Sequence, residues 1–253
     1  MMRSRGGALM YRAIAAELTK IRTLPAALVT ISAALVLPPA LSFAMGLNVA
    51  ASRSPAATGD DTGGFEVAGF GQPLVILLAA LIVGCEYQNG LLRSSQLAVP
   101  NRLRLLGAKA IVVAALAFLL AVVAVGLGVA VRQVSTGGAG IAELELTPAM
   151  TLNLLMVGLN WTCISLISAA LTVLARSILL PVIVLIPLVL GLGVALVGLL
   201  PWLKFTPDLA GLQLISRYPG MGLLEPLPGG VVMVAWVVLL LAPAFVLFGR
   251  RDA

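Results

Sequence analysis

The residues of this sequence best suited to binding a charged partner lie in one polar stretch between two apolar runs that are long enough to cross a bilayer. The stretch runs from Glu86 to Lys109, well beyond the about 4–6 residues of a common compact connection. It carries Glu86, Tyr87, Asn89, Gly90, Arg93, Pro100 and Arg102, and its charged and polar side chains can form ion pairs and hydrogen bonds. These features predict a structured polar segment at one membrane face, where a soluble protein can dock.

No residue pattern in the sequence predicts catalysis or metal binding. There is no histidine, and Cys85 and Cys163 lie in or beside apolar runs, where we expect reduced, buried thiols. The patterns GxxxxGK with Ser or Thr, GxSxG, HExxH and CxxC are all absent. We therefore predict no catalytic residue, no metal site, no cofactor bound by this chain and no enzyme activity of its own.

Three amide side chains interrupt the apolar runs and allow two interpretations. Asn153 and Asn160 are seven residues apart and share one face of a helix, and Gln72 lies near the end of another run. They either join helices by hydrogen bonds or line a substrate path. On the second interpretation, we expect Asn160 to face a dimer interface or a path beside it.

The composition is that of an integral membrane protein. Hydrophobic residues make up 60% of the 253 residues, charged residues 10%, and the mean hydropathy is +1.11. The net charge of +6 is better explained by basic residues on the cytoplasmic side of a membrane than by binding to nucleic acid. Carriers driven by protons or ions usually place charged residues at mid-membrane, and the predicted spans hold none between their ends.

The predicted fold class is an all-α integral membrane protein with one domain, residues 1–253, and six transmembrane helices. The predicted spans are residues 25–47, 71–85, 108–131, 148–174, 178–200 and 229–248. We expect Pro38 and Pro39 to kink or split the first span. Residues 201–228 contain five prolines and are predicted to lie at the outer interface, with a short helix from Asp208 to Ser216.

Residues 1–24 are predicted to form an amphipathic helix that lies flat on the membrane and is not cleaved as a signal. Met10, Ile14, Leu18 and Ile21 recur on one helical face, and the basic residues of this segment can reach lipid headgroups. Twelve of the sixteen Lys and Arg residues fall on one side if both termini are cytoplasmic. This bias predicts that orientation.

The order and spacing of these features resemble the permease subunits of bacterial type-2 ABC exporters of the actinobacterial kind. The resemblance covers essentially the whole chain, including the three-residue link between spans four and five and the segment before span six. It is carried by Glu17, Lys20 and Arg22 before the first span, and by Glu86, Tyr87, Gly90, Arg93, Leu97, Pro100, Arg102 and Lys109 after the second.

The resemblance implies a connecting helix at residues 1–24, containing Glu17, Lys20 and Arg22. It also implies a cytoplasmic coupling helix between spans two and three, within residues 86–107, that docks in a cleft of an ABC ATPase. Two copies of that ATPase, which bind ATP and Mg, would drive a homodimer or heterodimer of permeases in the bacterial plasma membrane. The cargo would be an amphipathic drug, peptide antibiotic or lipid, and such efflux would give antibiotic resistance.

Two other classes of function remain open from the sequence. One is a membrane module for sensing or assembly that uses an ATPase without transporting a substrate. The other is a self-contained secondary carrier. Association with an ATPase separates the carrier from the others, and ATP hydrolysis stimulated by a substrate separates an exporter from the module.

Overall fold

A computed structural model describes residues 2–52, 65–88, 102–135, 147–215 and 223–250, and the regular structure in these ranges is entirely helical. In chain order the helices are α1 (Met2–Thr23), α2 (Pro25–Ser52), α3 (Ala68–Gln88), α4 (Arg102–Ser135), α5 (Pro148–Ala175), α6 (Leu179–Pro187), α7 (Gly193–Val197), α8 (Pro207–Ile215) and α9 (Pro226–Arg250). Within these ranges six helical segments, the fifth formed by α6 and α7 together, are long and apolar enough to cross a membrane, which confirms the predicted fold class.

Helix α5 lies at the centre of the bundle and packs against α3, α4, α6, α8 and α9. Two of its side chains hydrogen-bond to the backbone of α3: Ser168 Oγ donates to the Ile76 carbonyl at 2.8 Å, and Trp161 Nε1 donates to the Ala68 carbonyl at 3.2 Å. The helix begins with a Thr147 cap, whose hydroxyl accepts from the Met150 amide. Helices α3 and α5 are therefore enclosed, whereas α2, α6 and α9 turn most of their apolar side chains outward.

All of the predicted spans except the fifth lie within longer helices, and the first is not split. Helix α2 continues through Pro38 and Pro39 as one helix to Ser52, whereas the prediction ended this span at residue 47. Neighbouring groups in a membrane bundle can satisfy the backbone carbonyls that a proline releases. Helix α4 begins at Arg102 and includes residues that the prediction assigned to the coupling region.

The fifth span is broken, although the sequence predicts one helix over residues 178–200. Residues Leu188–Leu192 form a π-helical turn between α6 and α7, and Gly191 has a φ of 114°. Only glycine adopts this backbone conformation without a steric penalty, so Gly191 allows the break. The five-residue α7 is followed by a 3₁₀ helix, Pro201–Phe205.

The segment after the fifth span is partly buried in the bundle, whereas the sequence predicts a helix at the membrane interface. Helix α8 packs against α5 and α9, and nearly all of its residues are buried. The approach of α9 is very close, since a Cβ at Gly229 would collide with the Ala210 carbonyl oxygen. Polar and proline residues predict a surface segment, but small residues at these positions let the helices pack backbone to backbone.

Replacing Gly229 by alanine should destabilise the chain by about 1–3 kcal/mol, because the backbone of α8 cannot move aside without losing its packing. Gly230 is the matched control: its added Cβ would lie 3.7 Å from Leu214 Cδ2, an ordinary contact. Gly230→Ala should be neutral or slightly stabilising, because alanine favours helix over glycine by about 1 kcal/mol. Thermal unfolding of the two purified variants decides this, and equal melting temperatures would contradict the close packing.

Candidate functional site

Four charged side chains meet where α1, α3 and α4 come together at one end of the bundle. Glu17 and Lys20 come from α1, Glu86 from the last turn of α3, and Lys109 from the first turns of α4. We refer to these four residues as the charge cluster. It holds two carboxylates and two ammonium groups, so its formal charges cancel.

The geometry of the charge cluster is that of a closed network. Lys109 Nζ lies 2.9 Å from both Glu17 carboxylate oxygens and 3.0 Å from Glu86 Oε1. Lys20 Nζ donates a hydrogen bond to the same Glu86 oxygen and lies 3.7 Å from Glu17 Oε1. Each carboxylate thus contacts both ammonium groups, and the network joins three helices.

The charge cluster is almost sealed from solvent. Glu17, Glu86 and Lys109 are 3%, 1% and 2% exposed, whereas the Lys20 side chain is 26% exposed at the rim. Partial burial disfavours the charged form of Lys20, but the hydrogen bond to Glu86 and the attraction of both carboxylates outweigh it and raise its pKa. Buried ions of this kind are stable only while every partner is present.

The local sequence explains why these residues reach one point. Glu17 and Lys20 are three residues apart, so they share a face of α1. Glu86 and Lys109 lie at the polar ends of two apolar helices, which places both at the same membrane face. The residues between these two ends, 89–101, lie outside the described ranges, and so do the predicted coupling residues Asn89, Gly90, Arg93 and Pro100.

Other residues of the predicted coupling region and of the connecting helix are placed differently. Arg22 is exposed, and Tyr87 is partly buried against the core. Arg102 is the first residue of α4. Leu18 is 45% exposed although it was predicted on the apolar face, whereas Glu17 is buried. The buried face of α1 is therefore set by its ion pairs as well as by its apolar residues.

The three amides within the spans are bonded to other helices. Gln72 Nε2 donates to Asn160 Oδ1 at 2.6 Å, and Asn160 Nδ2 donates to the Gly211 carbonyl at 2.9 Å. Asn153 Nδ2 donates more weakly to the Ile215 carbonyl at 3.4 Å. Asn160 is fully buried inside the described chain. That it faces a dimer interface or a path beside it stays a prediction. The geometry favours the interpretation in which the amides join helices.

Two charged residues have structural roles that the sequence does not predict. Lys109 served there only as a marker of orientation and of resemblance, but it is the central cation of the charge cluster. Asp208 was assigned to a surface segment, but it is only 7% exposed at the start of α8. A charged residue beside an apolar run is the available sequence signal for Lys109, whereas no local pattern marks Asp208 as buried.

The ion pairs of the charge cluster join three helices. Within the described ranges, no group of three or more His, Cys, Asp or Glu residues could hold a metal ion. The hydrogen bonds of the three amides likewise join neighbouring helices. The charge cluster and the three amides are therefore held by ion pairs and hydrogen bonds.

Comparison with protein families gives one match. Residues 13–193 match the model of a family described as ABC-2 family transporter protein. The matched range contains all four residues of the charge cluster, both helices that flank residues 89–101, and the central helix α5. A search of curated proteins found no match.

Proposed function

Since the chain belongs to the ABC-2 transporter family and is a membrane component of an ABC transporter, we propose that it is an exporter subunit driven by a separate ATPase. The observation that carries this proposal is the charge cluster. It ties α1 to the ends of α3 and α4, and these two helices lead into and out of the predicted coupling region. A push on that region would therefore act on three helices together.

The charge distribution supports docking of the ATPase at the end of the bundle that holds the charge cluster. The charge cluster lies at the end of the bundle where Lys and Arg concentrate, and this end is cytoplasmic by the positive-inside rule. An ATPase docked there would meet the coupling region and α1, which exposes Arg12 and Arg22. In this arrangement Glu86 acts from inside the chain, as a residue that positions the coupling region.

The proposed cargo is amphipathic, and the proposed path lies between two permease subunits. The interior of the described chain is filled by packed side chains, and its inward-facing amides are already bonded to neighbouring helices. Apolar surfaces of α2, α6 and α9 are left on the outside. A second copy of the chain, or a related permease, would supply the other wall of a path of this kind.

Affinity purification of the tagged full chain from its native membrane tests the proposal. We expect an ABC ATPase to co-purify in a one-to-one ratio, with ATP hydrolysis that rises when the cargo is added. Arg53→Ala, on the predicted outer side, is a control that should leave both unchanged. ATP-independent transport by the purified chain would support the self-contained carrier, and an ATPase without transport would support the sensing or assembly module.

A further inference from the structure

Helix α8 is inserted into the bundle with its first residues pointing inward. The Gly211 carbonyl accepts from Asn160, and the Ile215 carbonyl accepts from Asn153, so α8 runs towards the beginning of α5. Its first turn contacts Gly193, fourteen residues after the start of α6.

Asp208 occupies the inner end of α8 without a cation. Its Oδ1 accepts from Thr206 Oγ1 at 2.9 Å, and its other oxygen fills the space beside Gly193, where an added Cβ would lie only 2.5 Å from Oδ2. It forms no ion pair with another described residue. The nearby elements carry Lys204, whose ammonium lies 5.3 Å from the Phe205 ring centre, and the exposed Glu225.

The helix that Asp208 contacts is itself broken. Gly193 follows directly after the π-helical turn, and Gly191 holds its positive φ within that turn. A helix interrupted in this way can pivot at lower cost than a continuous one, because fewer backbone hydrogen bonds must open. Glycine at position 193 also leaves just enough room for the carboxyl group.

We propose that Asp208 is a positioning residue whose protonation state decides whether α8 stays packed against the broken fifth span. A neutral carboxylic acid fits this enclosed place, where Thr206 and the backbone of α8 supply its hydrogen bonds. A carboxylate there lacks a cation to offset its lost hydration, so ionisation favours a state in which the start of α8 reaches water. The released proton passes to the solvent. The inference concerns the chain alone and does not depend on the ATPase.

The direction of the pH dependence follows from the site. Burial raises the pKa of Asp208, although hydrogen bonds from Thr206 and from the Leu209 backbone oppose this. The packed state therefore binds more protons than the open one. Its full stability is present below the ordinary Asp pKa of about 3.9 and is lost as the pH rises through the raised pKa.

Labelling of a reporter cysteine at Leu209→Cys tests the proposal. The full chain, with Cys85 and Cys163 replaced by alanine, is placed in phosphatidylcholine nanodiscs and treated with a maleimide from pH 5 to 8. The labelling rate is divided at each pH by that of the same chain with Asp208→Asn, which cancels the titration of the thiol. We expect the ratio to rise by up to about tenfold per pH unit in the window between the two pKa values, since one proton is released.

Further results decide whether Asp208 acts through its protonation state or only through its packing. Glu225→Gln, which neutralises an exposed acid just before α9, should leave the rise unchanged. Thr206→Val should extend the rise to higher pH, because the packed carboxylate loses a hydrogen-bond donor. Should Asp208→Asn fail to fold, the Thr206→Val shift relative to the unaltered Asp208 chain remains measurable. A flat ratio, or no shift with Thr206→Val, would overturn the proposal.

Discussion

Replacing Lys109 by methionine should lower the melting temperature of the purified chain by on the order of 10 °C. The substitution removes the ammonium that contacts both Glu17 and Glu86 and leaves the two carboxylates with Lys20 alone. Removing one member of a buried ion network typically costs about 3–5 kcal/mol, and each kcal/mol moves the melting temperature by about 2–4 °C in a chain of this size. The measurement is thermal unfolding in detergent.

A double-mutant cycle separates the lost ion pairs from lost packing. Adding Glu17→Gln to Lys109→Met restores the balance of charge, so the double variant should be more stable than the sum of the single effects predicts, by about 0.5–3 kcal/mol. Arg12→Met removes an exposed cation of α1 and is the control, which should change stability by less than about 0.5 kcal/mol. Additive effects of Lys109→Met and Glu17→Gln would show that the charge cluster is not a unit.

Replacing Arg93 by alanine, or Gly90 by leucine, should abolish most transport while the chain still inserts and folds. Both residues lie in the predicted coupling helix, and the prediction rests on the sequence, since they fall outside the described ranges. Truncating one partner of a desolvated charge pair typically costs about 2–5 kcal/mol of binding, which corresponds to about 30-fold or more in affinity. Leucine at position 90 would block a sharp bend or a close approach of the ATPase backbone.

Assembly, ATP hydrolysis and transport should be measured together in the reconstituted complex. Loss of all three indicates weaker docking, whereas hydrolysis without transport indicates broken transmission of movement. Arg53→Ala is again the matched control, because it removes the same side chain from the predicted outer side. Unchanged transport in both Arg93→Ala and Gly90→Leu would refute the idea that this stretch transmits force.

The Lys109 prediction concerns the stability of the chain, and the Arg93 prediction concerns its coupling to the ATPase. The charge cluster joins the helix ends that precede and follow residues 89–101 in the sequence, and Arg93 belongs to that segment. Breaking the charge cluster should reduce the stability of the chain even without the ATPase. Changing Arg93 or Gly90 should affect only docking to the ATPase and transport. The two sets of variants therefore distinguish folding from coupling.

Much of the architecture could be predicted from the amino-acid sequence by itself. Apolar runs of bilayer length identify the six membrane helices, because the bilayer core has a fixed thickness and an unpaired backbone is costly there. Proline and asparagine are residue types that favour a helix start, and helix α4 begins at Arg102, after Pro100 and Asn101 in the sequence. Glu86 could be singled out by its place at the polar end of an apolar run, whereas Glu17 and Lys20 were indicated only by the resemblance to a permease family.

Only the tertiary structure decided which of these groups meet. Lys109 and Glu17 are 92 residues apart in the chain, and no local pattern pairs them. The same holds for Gln72 with Asn160, and for Asp208, which is buried against Gly193 of the fifth span. Hydropathy and backbone preferences are local properties and can be read along the chain, whereas the pairing of polar groups depends on how helices rotate and pack against one another.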